Sequence, residues 1–250
     1  MMKKYVVSSL MLVSVFVMQL SANPVDSVTM TNTGFGAKDT MTIWGGGHSG
    51  LTVYSGIFMF NKTASTGTGN LISNGTIGGF CMDLSEYLAS GPQTYEVLNV
   101  SEGPKPTTFL GGGMGATKAA YLSELWGRYF DSSWMAGGTY TAAQNAQAEV
   151  FQAAIWEIIY EDLPTSSAGW DVTIDSTTGN KGFIAANLDY TLANSWLGSL
   201  TGMYQGANLT ALSYNGNQDI LTVIPEPATV AFLAAGLLLA VSRGYKTLNR

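Results

Sequence analysis

The sequence predicts an α+β fold: an antiparallel β-sandwich-like part with a helical insertion, bounded by an N-terminal signal peptide and a C-terminal apolar helix. Three observations predict it. β-Branched and aromatic runs punctuated by Asn-Gly occupy residues 51–100 and 209–224. Helical periodicity is confined to residues 116–161, between those runs. Both ends of the chain are apolar segments with basic neighbours. Strands, then helices, then strands again suit one α+β domain with its helices inserted between strands.

Taken in order, Met1–Ala22 carries Lys3 and Lys4, an apolar run Leu10–Met18, and small residues Ser21-Ala22, the charge order of a secretory signal peptide. Residues 23–224 form the extracellular domain. Leu51–Phe60 reads as a strand or bulged pair. Leu71-Ile72, the turn Ser73-Asn74-Gly75-Thr76 and Ile77–Leu84 read as a hairpin, because Asn-Gly supplies the positive φ angles of a tight turn. Thr94–Val100 is a further strand. Ala116–Phe130 places Leu122, Leu125, Trp126 and Tyr129 on one helical stripe. A second helix runs from about Ala142 to Glu161, with Thr141 as N-cap, Gln144 completing a capping box, and Pro164 barring continuation. Leu209–Tyr214 and Ile220–Ile224 close the domain as a hairpin around Asn215-Gly216-Asn217.

Residues 225–250 are a separate segment. Pro225-Glu226-Pro227 is followed by the apolar Ala228–Val241 and the basic Arg243, Lys246 and Arg250. The apolar stretch is at the lower edge of what crosses a bilayer, and its basic end belongs on the cytoplasmic side. These last 26 residues resemble the PEP-CTERM sorting tail of exported bacterial proteins. The resemblance implies transient anchoring in the inner membrane through residues 228–242 and cleavage near Pro225, Glu226 and Pro227 by an exosortase. The host it implies is a Gram-negative bacterium that makes exopolysaccharide.

Charge and composition exclude several function classes. Residues 23–224 hold six basic and 16 acidic side chains, a balance that repels phosphate backbones and argues against nucleic-acid binding. With one His and one Cys, the chain has no His-rich metal site, no CxxC pair and no internal disulfide. No cofactor motif is present, and the expectation is a protein that is not a turnover enzyme.

Two residues stand out chemically. On the second helix the apolar stripe is Ala148, Phe151, Ile155 and Ile159, and Gln152 falls inside it. A buried amide without partners costs on the order of 1–3 kcal/mol, so Gln152 either hydrogen-bonds something buried or is joined to something. Cys81, in Gly79-Phe-Cys-Met-Asp83, is the only thiol of an exported chain and a liability unless buried or engaged. One reaction accounts for both: the Cys81 sulfur attacks the Gln152 side-chain carbonyl, ammonia leaves, and an internal thioester remains. Phe80, Met82, Phe151 and Trp156 could supply apolar walls that exclude water. An amine could later displace the sulfur, attaching the protein covalently once per molecule. The bland alternative is that Cys81 packs as a small hydrophobe and Gln152 caps a backbone group. Even an unreactive crosslink closing this loop could stabilise by roughly 4 kcal/mol on the loop-entropy account.

The pair also carries a resemblance. Phe80-Cys81-Met82 is similar to the aromatic-Cys-hydrophobic box of bacterial surface thioester domains, and Phe151-Gln152-Ala-Ala-Ile155-Trp156 to their hydrophobic-Gln-x-x-hydrophobic-Trp box. The likeness extends as a general layout over residues 35–224. It implies the Cys81–Gln152 bond and an adhesive role toward a surface amine. Acidic Gly/Thr-rich surfaces leave a polysaccharide ligand open, and a passive biofilm or exopolysaccharide-associated protein is the alternative.

Other signals carry less. His48 could pair with Cys81 as a catalytic dyad, but Gly45–Gly50 reads as a flexible loop with no orienting partner. Gly111–Lys118 lacks the Gly-Lys-Ser/Thr order of a phosphate loop and reads as a loop before a helix. Asp171 and Asp175 read as solvated, as do Glu157, Glu161 and Asp162 on or past an outer helix face. The sequons at Asn61, Asn74, Asn99 and Asn208 are common in Asn- and Thr-rich chains.

Overall fold

The computed structural model describes residues 25–105, 109–177, 182–203 and 206–225. The signal segment and the apolar tail, apart from Pro225, lie outside these residues. Among those described, no helix is long and apolar enough to cross a membrane.

Among the described residues the fold is mixed, with a large antiparallel sheet and three α-helices, as the α+β expectation requires. The strands are β1 (Ser27–Gly45), β2 (His48–Thr66), β3 (Gly75–Cys81), β4 (Pro92–Asn99), β5 (Ile184–Ala186), β6 (Leu209–Tyr214) and β7 (Asn217–Val223). The helices α1 (Gly115–Tyr129), α2 (Ala142–Tyr160) and α3 (Tyr190–Gly198) lie between β4 and β6 in sequence. The sheet order is β2-β3-β7-β6-β4-β1-β5, and β1 pairs with β2 as well, so the first six strands form a closed circuit of ladders. Closure leaves few unpaired edges for other chains to join.

Strand β1 was not legible as a strand. Val28, Met30, Met41 and Ile43 are buried in a two-residue rhythm, but four register shifts against β2 interrupt it. Those shifts let one strand serve β4 near its start and β5 near its end. The Gly45–Gly50 stretch, expected as a flexible loop, is a tight hairpin turn. Gly46 and Gly47 adopt φ of 55° and 85° between the paired Gly45 and His48, a conformation closed to most side chains. The expected hairpin at residues 71–84 is also revised. Residues 67–71 form a short 3-10 turn, and β3 pairs instead with β2 in the register Phe58↔Gly79 to Lys62↔Gly75.

Helices α1 and α2 follow their sequence signals closely, whereas α3 lies outside residues 116–161, where alone helical periodicity was expected. Thr141 caps α2 reciprocally: its hydroxyl accepts from the Gln144 N–H at 3.2 Å while Gln144 Oε1 accepts from the Thr141 N–H at 2.9 Å. From Ala148 to Tyr160 every residue of α2 is buried, because the helix packs on β1 and β2 with α1 and α3 alongside. It therefore has no outer face in this half, and Glu157 and Glu161, expected there, are buried. Only Asp162 is exposed.

The core between sheet and helices is aromatic. Phe80 of β3 meets Trp126 edge-on at 5.6 Å and Phe151 at 4.9 Å, and Trp126 stacks on Phe130 at 4.6 Å. Trp134 completes the cluster, 5.4 Å from Phe151.

Candidate functional site

The site begins at the end of β3. Gly79 permits its approach to β7, since a Cβ there would lie 2.3 Å from the Ile220 side chain. Phe80 then pairs with Leu221 and Cys81 with Ile220, and the Met82 N–H donates to the Asp219 carbonyl at 2.9 Å. Alternation along the strand sends Phe80 into the aromatic core and Cys81 to the other side.

Cys81 and Gln152, 71 positions apart in sequence, are brought together. The Cys81 backbone N–H donates to Gln152 Oε1, and Gln152 Nε2 donates to the Cys81 carbonyl, both at 2.9 Å. Both residues are buried, at 6% and 1% exposure. The glutamine amide thus acts as one more rung of ladder beyond the edge of β3, supplied by a helix. These two bonds satisfy the amide, so its burial is accounted for without a covalent link. They also fix the carbonyl beside the only thiol and place an N–H donor on the oxygen that gains charge when a nucleophile adds to that carbonyl.

The four residues expected as walls divide. Phe80 and Phe151 face each other in the aromatic core on one side of the pair. Trp156, one turn after Gln152, lies against Phe183 at 5.7 Å and lines a cleft together with Cys81. Met82 is fully buried elsewhere, its thioether against the Gly103 backbone.

That cleft, of about 400 Å³, has mostly apolar walls and opens past Tyr54 and Tyr87, both more than half exposed. At its rim the Lys38 ammonium stands 3.3 Å from the centre of the Tyr54 ring. Inside it, Asp83 is 2% exposed. Its Oδ2 accepts from the Asp219 N–H at 2.8 Å, while Oδ1 has no hydrogen-bond partner. Burial, and then the nearby Asp219 carboxylate, push the Asp83 pKa up to about 8. Burial, with the Asp83 charge second, also raises the Cys81 thiol well above its ordinary range, so the sulfur is a neutral thiol at neutral pH. The Trp156 indole N–H is the second buried polar group of the cleft without a partner.

Compared with family models, curated proteins and solved structures, the chain gives no match.

His48 also lines the cleft, rather than a loose loop, and its Nε2 is 2.9 Å from the Leu84 carbonyl oxygen. A carbonyl only accepts, so Nε2 carries the proton of this bond. The Leu84 N–H in turn donates to the Tyr160 hydroxyl at 2.8 Å, which fixes the chain just beyond Asp83.

The remaining carboxylates are structural. Glu161 accepts from the Phe183 and Ser176 N–H groups at 2.6 and 2.7 Å, tying Ser176 and Phe183 to the end of α2. Glu157 accepts from the Asp171 N–H at 2.9 Å, and its Oε2 is unpartnered. Asp171 and Asp175, expected in solvent, are half-buried and hold their own turns through Thr173 and Thr177. Lys118, at the end of the glycine-rich stretch, donates to the Ile159 carbonyl at 2.8 Å. Among the described residues no group of three or more His, Cys, Asp and Glu side chains could hold a metal ion.

Sequence reasoning missed Asp83 as a site residue. A signal existed: Cys81-x-Asp83 continues the alternation of β3, so both side chains fall on one side.

Proposed function

We propose that this chain is an exported surface or extracellular-matrix protein whose Cys81 and Gln152 form an internal thioester, used once to bind covalently to an amine. The observation that carries the reading is the reciprocal pairing of the Gln152 amide with the Cys81 backbone at 2.9 Å in a buried site. It holds electrophile and thiol side by side, between an aromatic wall and an open cleft. Formation adds the Cys81 sulfur to the Gln152 side-chain carbonyl carbon and expels the amide nitrogen as ammonia. An amine that reaches the thioester reverses the roles, forming an amide with Gln152 and releasing the Cys81 thiol.

Export and sorting belong to the same reading. Residues 1–22 direct secretion. Residues 228–242, a short apolar stretch, hold the chain transiently in the inner membrane with the basic end inside. An exosortase cuts near Pro225–Pro227, leaving the domain at the cell surface or in an exopolysaccharide matrix. The order Pro-Glu-Pro, apolar stretch, basic end supports this.

A second reading is favoured by the same two hydrogen bonds, because they leave neither polar atom of the Gln152 amide without a partner. In it the pair only packs, or forms an unreactive staple, in a passive matrix protein. Intact mass separates the readings. The full chain is purified without reductant, its termini are located by peptide mapping, and wild type is compared with Cys81→Ala. A reactive thioester makes the wild type lighter than its sequence by one ammonia, restored as one methylamine adduct with a free thiol, while the variant stays at full mass. A mass deficit that methylamine leaves unchanged means a staple. Full mass with a titratable thiol means packing alone.

A further inference from the structure

Cys81 and Gln152 do not supply everything their reaction needs. The thiol is buried and neutral, so its proton must leave before or during attack on the carbonyl. An amine faces the same requirement when it opens the bond. The cleft contains one group suited to this and otherwise unexplained: the carboxyl of Asp83, which lines the same cleft as Cys81 and whose Oδ1 is buried and unpartnered. Its other oxygen is anchored by the Asp219 N–H, and its backbone carbonyl by Gln218 Nε2 at 3.0 Å, so the side chain is held in place.

We propose that Asp83 takes the proton of each nucleophile that reacts in this cleft, first the Cys81 thiol and later an incoming primary amine. The proposal rests on the thioester reading above. In formation the S–C bond forms as the thiol proton passes to Asp83 Oδ1, and the C–N bond then breaks with that proton leaving in ammonia. In capture the amine adds to the same carbon, its proton passes to Asp83, and the C–S bond breaks with that proton returning to Cys81. The carboxyl ends each cycle as it began. The cleft suits an alkyl amine: Leu51, Val53 and Leu84 give apolar walls for the chain, and Asp83 and Glu86 line the same cleft.

The ionisable groups that face Asp83 are Asp219 from β7, Glu86 from the same β3–β4 connection, Cys81 from the end of β3 and Tyr160 from α2, with His48 of β2 lining the same cleft. Burial and the two acids keep Asp83 protonated at neutral pH, and it becomes a base as pH rises through about 8.

The test is the rate of methylamine capture by the full chain from pH 6 to 9.5, corrected for the free-base fraction of the amine. Wild type should rise with a midpoint near 8. Asp83→Asn keeps an oxygen for the Asp219 N–H and removes the base. It should retain the wild-type melting temperature, form the thioester incompletely, and capture amine roughly 10²-fold more slowly with no midpoint near 8. A flat wild-type profile overturns the proposal even if the variant fails to fold. So does a variant that forms and spends its thioester at wild-type rates, which would give the proton to His48 or water. A wild type at full sequence mass overturns the thioester reading itself, and this proposal with it.

Discussion

Phe80 and Cys81 are adjacent on β3 and face opposite environments. The Phe80 side is closed: a ring of Trp126, Phe130, Trp134 and Phe151 with fully buried Phe80 at its centre. The Cys81 side is a cleft lined by the thiol, in which a carboxyl oxygen of Asp83 and the indole N–H of Trp156 lack hydrogen-bond partners. The period-two geometry of a strand makes this division possible, since one residue step moves a side chain from one layer to the other. It lets a rigid core hold Cys81 and Gln152 without touching the chemistry proposed for them. Stability is expected to reside on one side and reactivity on the other.

The largest effect should come from the closed side. Phe80→Ala removes the centre of the aromatic cluster and leaves a cavity, with an expected loss of roughly 3–5 kcal/mol. Denaturant titration measures it. A loss under about 1 kcal/mol would mean that the cluster does not anchor β3, and the division of labour would be lost.

Gln152→Ala is the next largest, and it tests the boundary between the sides. It strips partners from both the N–H and the C=O of Cys81 in a buried site, with an expected cost of roughly 2–5 kcal/mol for two unpaired backbone groups. Cys81→Ala leaves those backbone groups and the Gln152 amide paired, so it should cost less unless a covalent bond is lost as well. Comparing the two by thermal melting, with the mass of each known, separates the hydrogen bonds from the crosslink. Equal losses in proteins at full mass would show that the amide pairing contributes nothing of its own.

What was legible in the sequence follows the same physics. Helix α2 could be placed to a residue because its cap, its period and Pro164 are local signals. The β6–β7 hairpin was marked by Asn215-Gly216, whose glycine takes φ of 75°. Cys81 and Gln152 were visible because each contradicts its surroundings, a lone thiol in a chain expected to be exported and an amide in an apolar stripe. Asp83 contradicted nothing locally; an acid at a strand end reads as surface, and only β7 and α2 bury it. Glu157 and Glu161 were misplaced for the same reason, since Asp171, Ser176 and Phe183 cover what the helical period alone assigns to solvent. Strand β1 was hidden by its register shifts, which break the alternation on which strand reading depends.

Glu157 supplies the smallest and sharpest test, because it is the control for Asp83. Both are buried carboxyls with one unpartnered oxygen, and both are pushed up, Glu157 to about 9 by burial and then by Glu161. Asp83 lines the cleft, whereas Glu157 sits against the Asp171 backbone. A carboxyl whose folded pKa is raised adds stability that is fully present below its unfolded pKa, near 4, and lost as pH climbs toward the folded value. The wild type should therefore melt lower at pH 9 than at pH 5. Glu157→Gln keeps the acceptor for the Asp171 N–H and removes the titration. At pH 9 it should be more stable than wild type by on the order of 1 kcal/mol, roughly 2–4 °C in melting temperature, with little difference at pH 5. Its methylamine capture should keep the wild-type rate and midpoint. If Glu157→Gln slowed capture as Asp83→Asn does, an orphan carboxyl would affect the reaction through the general charge of the interior, and a place in the cleft would no longer distinguish Asp83.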